Sequence, residues 1–145
     1  MYMNLIKNTM FASLILFSTL TCCAEFPTGN YKGIGFIVEN GSMKITNADM
    51  IVFESRLIVT KKGESKVAFK MSVNMQRNLN KPIVSDSRYD VYDIKWDSEN
   101  SGLLVNMNKK YSKDKSTFVI DGKKLTIKSW ISRNQLFETH EYEKQ

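Results

Sequence analysis

The 145-residue sequence has few of the residues from which small proteins build catalytic or metal sites. It contains one histidine, His140, and two cysteines, Cys22 and Cys23, which stand next to each other near the N-terminus. Tetrahedral zinc sites and Cys–His catalysis need several such side chains. No motif brings polar residues together in the way a reaction site requires. We therefore expect no enzyme, no metal site and no cofactor.

Long hydrophobic runs are also absent, except for one near the N-terminus. The stretch from Met10 to Leu20 is uncharged and follows a single positive charge at Lys7. Its apolar core of about 11 residues and the small residues that follow it, up to Ala24, are typical of a secretory signal peptide. A membrane-spanning helix would need about 20 apolar residues. The sequence thus predicts a signal peptide over residues 1–24, a single exported domain over residues 25–145, and a periplasmic or secreted location.

The cysteines allow a second interpretation of this leader. The run Leu20-Thr21-Cys22-Cys23 resembles a bacterial lipoprotein signal, in which a leucine stands three residues before the cysteine that is acylated. It departs from that pattern at Cys22, where glycine, alanine or serine is expected. Cleavage after Ala24 to give a soluble product and lipid attachment at a cysteine both stay open. Under either interpretation the domain has no disulfide and depends on its own packing.

The basic charge of the chain does not indicate a nucleic-acid partner. The formal net charge is +6, from 21 lysines and arginines against 15 acidic residues. The pairs Lys61-Lys62, Lys109-Lys110 and Lys123-Lys124 stand at predicted strand ends, where charges keep sheet edges from associating. A nucleic-acid surface would interleave basic residues with exposed aromatic ones. We expect no nucleic acid, and contact with a membrane only through a lipid anchor.

Apolar residues recur at period two along most of the chain, which predicts an all-β domain. The clearest run places Val67, Phe69, Met71, Val73 and Met75 on one face, as in a half-buried antiparallel strand. Asp-Gly between two alternating runs, at Asp121-Gly122, predicts a hairpin. Eight or nine strands follow from such patterns, with no helix beyond the leader. A meander of this many strands tends to close, so we predict an antiparallel up-and-down β-barrel of about eight strands; an open β-sandwich is the alternative.

The pattern resembles the calycin group, the lipocalins and fatty-acid-binding proteins. The resemblance is carried by Gly29-Asn30-Tyr31 at the first strand, the run of hairpins, and a closing hairpin with Leu125-Thr126-Ile127 after Asp121-Gly122. The lipocalin signature has Gly-x-Trp, and here the aromatic residue is Tyr31. Arg133 is the nearest match to the arginine that lipocalins pack on that aromatic ring. The resemblance implies that the barrel binds a small apolar or amphipathic ligand.

The alternation assigns five apolar side chains to the barrel interior as candidate ligand contacts: Phe53, Phe69, Met71, Met75 and Met107. Methionine adapts to irregular shapes and suits a pocket for flexible apolar ligands. The same residues would also fill a dry core, and the sequence leaves both interpretations open. A packed core would favour a protein-interaction module, such as a protease or lysozyme inhibitor, presenting the irregular segment from Asn78 to Ser87.

His140 lies in the last predicted strand. Glu138 and Tyr142 share its face, so the three side chains form a polar patch in one interpretation. We expect the simpler outcome, a solvated position on the outside of the sheet.

Overall fold

The computed structural model describes residues 24–40, 43–46, 51–76, 80, 82–111, 113–132 and 135–145, without the side chains of residues 40, 43–46 and 51–53. The described chain forms antiparallel strands and one turn of 3-10 helix at Lys109–Tyr111. In chain order, the strands are β1 (Gly29–Asn40), β2 (Met43–Thr46), β3 (Ile51–Lys61), β4 (Lys66–Gln76), β5 (Val84–Trp96), β6 (Ser101–Asn106), β7 (Lys115–Asp121), β8 (Lys124–Ile131) and β9 (Leu136–Lys144). No helix among the described residues is long and apolar enough to cross a membrane.

The sheet closes on itself. From β3 to β9 each strand pairs with the next one along the chain, and β1 pairs with both β3 and β9. These eight strands form a closed antiparallel barrel, while the short strand β2 pairs with the end of β1 at Ile37–Asn40. The predicted up-and-down barrel is confirmed, and the open sandwich is wrong. Closure removes the exposed edges that a meander would otherwise leave.

The Asp121-Gly122 hairpin is confirmed between β7 and β8. Asp121 pairs with Lys124, so the turn has two central residues. Gly122 has a φ of 57°, and this left-handed conformation carries no side-chain penalty in glycine. Turn chemistry and strand alternation therefore agree at this point of the chain.

One end of the barrel is filled by aromatic side chains. Phe26, from the segment before β1, is 4% exposed and enters this end. Its ring centroid lies 5.0 Å from that of Phe118, 5.7 Å from that of Phe69 and 6.3 Å from that of Trp96. The Tyr31 hydroxyl donates a 2.8 Å hydrogen bond to the Pro27 carbonyl and holds the segment against β1. We call this the closed end; its core comprises Phe26, Tyr31, Leu57, Val59, Val67, Phe69, Tyr92, Ile94, Leu104, Phe118, Leu125, Ile127 and Tyr142.

Strand β1 bends where its pairing with β3 stops. The pairing runs from Gly29 opposite Val59 to Lys32 opposite Arg56. A Cβ atom on Gly33 would lie 2.5 Å from the Cβ of Ser55, so glycine allows the two strands to approach there. The register with β9 shifts between Gly33 and Gly35. A recess opens in the barrel wall beyond this point.

The sequence predicts an irregular segment from Asn78 to Ser87, but the last residues of this segment belong to a strand. Strand β5 begins at Val84, and Ser85, Asp86 and Ser87 pair with β4. The Ser85 hydroxyl donates a 2.8 Å hydrogen bond to the side-chain oxygen of Asn74 on the neighbouring strand. The alternation of apolar residues did not predict this part of β5, because its side chains are exposed to solvent on both faces at the open end of the barrel. Residues 77–79 and 81 lie outside the described part of the chain.

Candidate functional site

The barrel encloses a cavity of about 180 Å³ at the end opposite Phe26, which we call the open end. It is lined by the last residues of β4, the first residues of β5 and β9, and the last residues of β8, and these meet at one height because neighbouring strands are antiparallel. A recess of about 330 Å³ adjoins it at the gap between β1 and β3. Five side chains line both spaces: Phe36, Ser55, Val73, Met75 and His140.

The size of this space falls in the range of small-molecule sites once the recess is included. Ligand pockets in proteins have volumes of about 300–1,000 Å³. The enclosed cavity alone is smaller than this range, and the recess alone is within it. The open end therefore has room for one small molecule, with part of it directed through the wall.

The cavity has an apolar wall on β1 and β4. Phe36, Met71, Val73 and Met75 line it, and Phe69, 1% exposed, lies between the cavity and the closed-end core. Of the five residues predicted to be inside, Phe69, Met71 and Met75 thus lie where the alternation put them. The side chain of Phe53 lies outside the described part of the structure, although the β3–β4 register shifts at this residue, between Val52 and Glu54.

The prediction that Met107 lies inside the barrel is wrong. Its side chain is 49% exposed and lies outside the barrel, just beyond β6. The inward face of β6 consists of Gly102, Leu104 and Asn106, each buried. The apolar set of Leu103, Val105 and Met107 suggested the opposite face. Gly102 faces inward towards Phe118, where space is short: a Cβ atom at this position would lie 3.0 Å from the Phe118 ring. Asn106 is inward because it has a buried hydrogen-bond partner.

That partner is Asp90, the centre of a polar network beside the cavity. The Asn106 side-chain amide donates a 3.1 Å hydrogen bond to Asp90 Oδ1. Arg88 Nε lies 2.7 Å from Asp90 Oδ2 and forms an ion pair with it. Burial lowers the pKa of Arg88, but the combined effects of Asp90, Tyr92 and Glu138 outweigh burial, so the pKa is raised above its ordinary value. Arg88 stays charged, as Asp90 requires.

The last strand brings Glu138, His140 and Tyr142 to the inside of the barrel. All three line the cavity, which corrects the expectation that His140 lies on the outside of the sheet. His140 Nε2 lies 3.3 Å from Glu138 Oε2. Its ring stacks on that of Tyr142, with centroids 6.1 Å apart, and meets the Phe36 ring at 4.7 Å. The polar patch of the second interpretation therefore exists, and it faces the cavity.

Two buried tyrosines of the closed-end core, Tyr92 and Tyr142, border this polar region. Burial raises the pKa of Tyr142 to about 12. Burial, followed by the nearby charge of Asp90, raises the pKa of Tyr92 further above its ordinary value. Both phenols stay neutral at physiological pH and serve as hydrogen-bonding groups at the base of the cavity.

Further polar side chains line the mouth on β7 and β8. The Ser116 and Ser129 hydroxyls lie 3.0 Å apart. Asp114 Oδ1 accepts hydrogen bonds from the backbone and hydroxyl of Ser132 at 3.0 and 2.8 Å. Together with Arg88 and the Glu138–His140 pair, these groups form a polar side opposite the apolar wall. Such an arrangement offers a bound molecule both an apolar surface and oriented polar groups.

The sequence pattern placed Glu138, His140 and Tyr142 on one face of the last strand, but the polar residues on the inward face of β5 were not predicted. On β5, Asp86, Arg88 and Asp90 share the inward face with Tyr92. On β9, Glu138 and His140 share it with Tyr142. On β5, continuing period two from Tyr92 through the polar residues predicts this inward face.

Comparison with known proteins finds a likeness in structure but none in sequence. No protein-family model matches the chain, and no curated protein matches it in sequence. Among solved structures, it is similar to the siderocalin Ex-FABP, which is described as functioning through dual ligand specificities. The TM-score is 0.55 at 6% identity, over 81% of this chain and 73% of that one. At this identity the likeness shows the fold alone: the chain has a calycin-like β-barrel, as the Gly-x-aromatic start and the meander predict.

Cys22, Cys23 and Arg133 lie outside the described residues. Signal-peptide cleavage, lipid attachment and the arginine expected from the lipocalin resemblance therefore stay predictions. Among the described residues, no group of three or more histidine, cysteine or acidic side chains could hold a metal ion.

Proposed function

We propose that this protein is an exported carrier that binds one amphipathic small molecule at the open end of its barrel. The supporting observation is the two-sided lining of the cavity. Phe36, Met71, Val73 and Met75 offer an apolar surface, and Arg88 and the Glu138–His140 pair face it from the other strands. A ligand with an apolar body and a polar group would satisfy both sides, whereas a wholly apolar one would leave polar groups unpaired.

The packing of the barrel favours a carrier over a protein-interaction module. The module hypothesis predicts an interior filled along its whole length and a long presented loop. The aromatic core fills the closed end, but the open end retains its cavity, and Ser85–Ser87 are part of β5. The carrier needs rigid walls around a space, which a packed closed end supplies.

Ligand binding is tested with a fluorescent amphipathic probe, N-phenyl-1-naphthylamine, and a pair of matched variants. Met75→Trp places a large ring in the cavity, and Met107→Trp places the same ring on the outer surface. The probe should bind the native protein and Met107→Trp equally, and Met75→Trp about tenfold or more weakly. Equal binding by all three proteins, or by none, would overturn the proposal.

Export is the second part of the proposal, supported by the run from Met10 to Leu20 and the small residues after it. Intact mass measurement of the full-length chain expressed in a bacterium distinguishes its forms. A product beginning at Glu25 in the periplasm indicates ordinary cleavage, and a membrane-bound product with an acylated Cys22 or Cys23 indicates a lipoprotein. An uncleaved chain in the cytoplasm would refute export. Native mass spectrometry of the same sample would also reveal a co-purifying ligand.

A further inference from the structure

We propose that the cavity selects amphiphiles whose polar group is a cation of the amine class. The inference rests on the proposed carrier function and deepens it by assigning the chemistry of the ligand's headgroup. Three carboxylates line the cavity, from Asp86, Asp114 and Glu138, and Arg88 is the one arginine or lysine that lines it among the described residues. The polar side of the cavity therefore carries more negative than positive charge.

Arg88 does not make this wall positive, because its charge is already paired. Its Nε lies 2.7 Å from Asp90 Oδ2, and the Asp90 side chain is only 6% exposed. Asp90 lies on the inward face of β5 between Arg88 and Tyr92. Its Oδ2 atom is buried without a hydrogen-bond donor in the described structure. The charges of Arg88 and Asp90 therefore offset each other, and the sign of the cavity lining is set by the other three carboxylates.

Among the described residues, no arginine or lysine lies within ion-pair distance of the three lining carboxylates, although Arg88 interacts with Glu138 at longer range. Glu138 Oε2 lies 3.3 Å from His140 Nε2, and the two side chains form an ion pair only when His140 is protonated. Asp114 Oδ1 accepts from two neutral donors, the backbone N–H and the hydroxyl of Ser132. Asp86 forms no ion pair with any cation in the described part of the chain. An ammonium group in the cavity would supply the hydrogen-bond donors and the charge that these carboxylates accept.

The sign of the cavity is opposite to that of the protein. The whole chain carries a formal net charge of +6, so a random distribution of charges would give a basic lining. Carboxylates in a concave, partly desolvated space act more strongly on a bound cation than the same groups on an open surface. The Phe36 ring, against His140, adds an aromatic face of the kind to which ammonium groups are attracted. The apolar wall of Met71 and Met75 receives the tail.

The test compares three ligands that share one tail: decylamine, which is charged at pH 7.5, decanol and decanoate. Each displaces N-phenyl-1-naphthylamine at concentrations below micelle formation. We expect the order decylamine, decanol, decanoate, with about tenfold or more between the first and the last. In Glu138→Gln this ratio should fall several-fold, because the variant removes one of the carboxylates that favour the amine over the carboxylate ligand. Glu143→Gln, which changes an exposed residue of the same strand, should behave as the native protein.

The outcomes separate this inference from the carrier function. Equal affinity for the three ligands, a preference for decanoate, or an unchanged ratio in Glu138→Gln would overturn the cation assignment and leave the carrier function standing. If the probe and all three ligands fail to bind, the carrier function itself fails. Far-ultraviolet circular dichroism and thermal unfolding show whether Glu138→Gln is folded as the native protein is.

Discussion

Replacing Phe26 by alanine tests whether the segment before β1 is part of the folded domain. The ring is 4% exposed and contacts three other aromatic rings at the closed end, those of Phe69, Trp96 and Phe118. Removing a buried phenylalanine ring costs about 3–5 kcal/mol. Each aromatic pair adds about 0.5–1.5 kcal/mol beyond buried area, which puts the expected loss at the upper part of that range. Domains have a total stability of about 5–15 kcal/mol.

The assay is urea unfolding followed by far-ultraviolet circular dichroism, because the fluorescence of Trp96 would change with the loss of its neighbour. We expect a lower urea midpoint with an unchanged slope, since the surface exposed on unfolding stays similar. The matched control is Phe137→Ala on β9, where the ring is 36% exposed and the expected loss is about 1 kcal/mol or less. A loss below about 1 kcal/mol in Phe26→Ala, or equal losses in the two variants, would refute the packing of the closed end.

Three further predictions concern stability. Because burial raises the pKa of Tyr142 to about 12, the unfolded chain loses this proton first as the pH rises. The contribution of Tyr142 to the free energy of unfolding should be constant below pH 10 and then fall by about 3 kcal/mol towards pH 12. The difference between urea titrations of the native protein and of Tyr142→Phe measures this contribution. Gly102→Ala places a Cβ 2.3 Å from a backbone carbonyl oxygen and should cost about 1–3 kcal/mol; Gly63→Ala, with a nearest contact at 3.8 Å, should change thermal stability by about 0.5 kcal/mol or less. Asn106→Ala removes the donor to buried Asp90 Oδ1 and should cost about 1–3 kcal/mol in urea unfolding.

The barrel itself could be predicted because two independent signals agree along most strands. Alternation gives each strand an inner face, and the Asp121-Gly122 turn fixes one register without any tertiary information. Val67, Phe69 and Met71 all lie inside, as period two requires. Closure was inferred from the number of strands, and the pairing of β1 with β9 confirms it.

The inner face of β6 could not be predicted from apolar character. Both faces of this strand carry apolar residues, so the choice depends on neighbours that lie far away in sequence. Gly102 must face Phe118, and Asn106 must reach Asp90. A buried polar group is favourable only when its partner is known, and that partner belongs to another strand. Met107 was misplaced for this reason.

The inward orientation of the polar residues on β9 could not be predicted from the sequence, for a related physical reason. A carboxylate or histidine in a strand normally faces solvent, since burial of an isolated charge is costly. Glu138 and His140 face inward because the open end holds a cavity and because each has the other as a partner. A filled barrel would not accept them, so their position follows from the cavity and not from the strand pattern.

The register shows that stability and binding are separated along the barrel axis. On β4 and β5, Val67 pairs with Tyr92 in the closed end, and Met71 pairs with Arg88 at the cavity. On β9 the inward face changes in the same way, from Tyr142 to His140. On β4, β5 and β9 the packed core gives way to the cavity lining, which is apolar on β4 and polar on β5 and β9. Substitutions on the closed side of this transition should therefore lower stability and spare ligand affinity, and those on the open side should have the reverse effect.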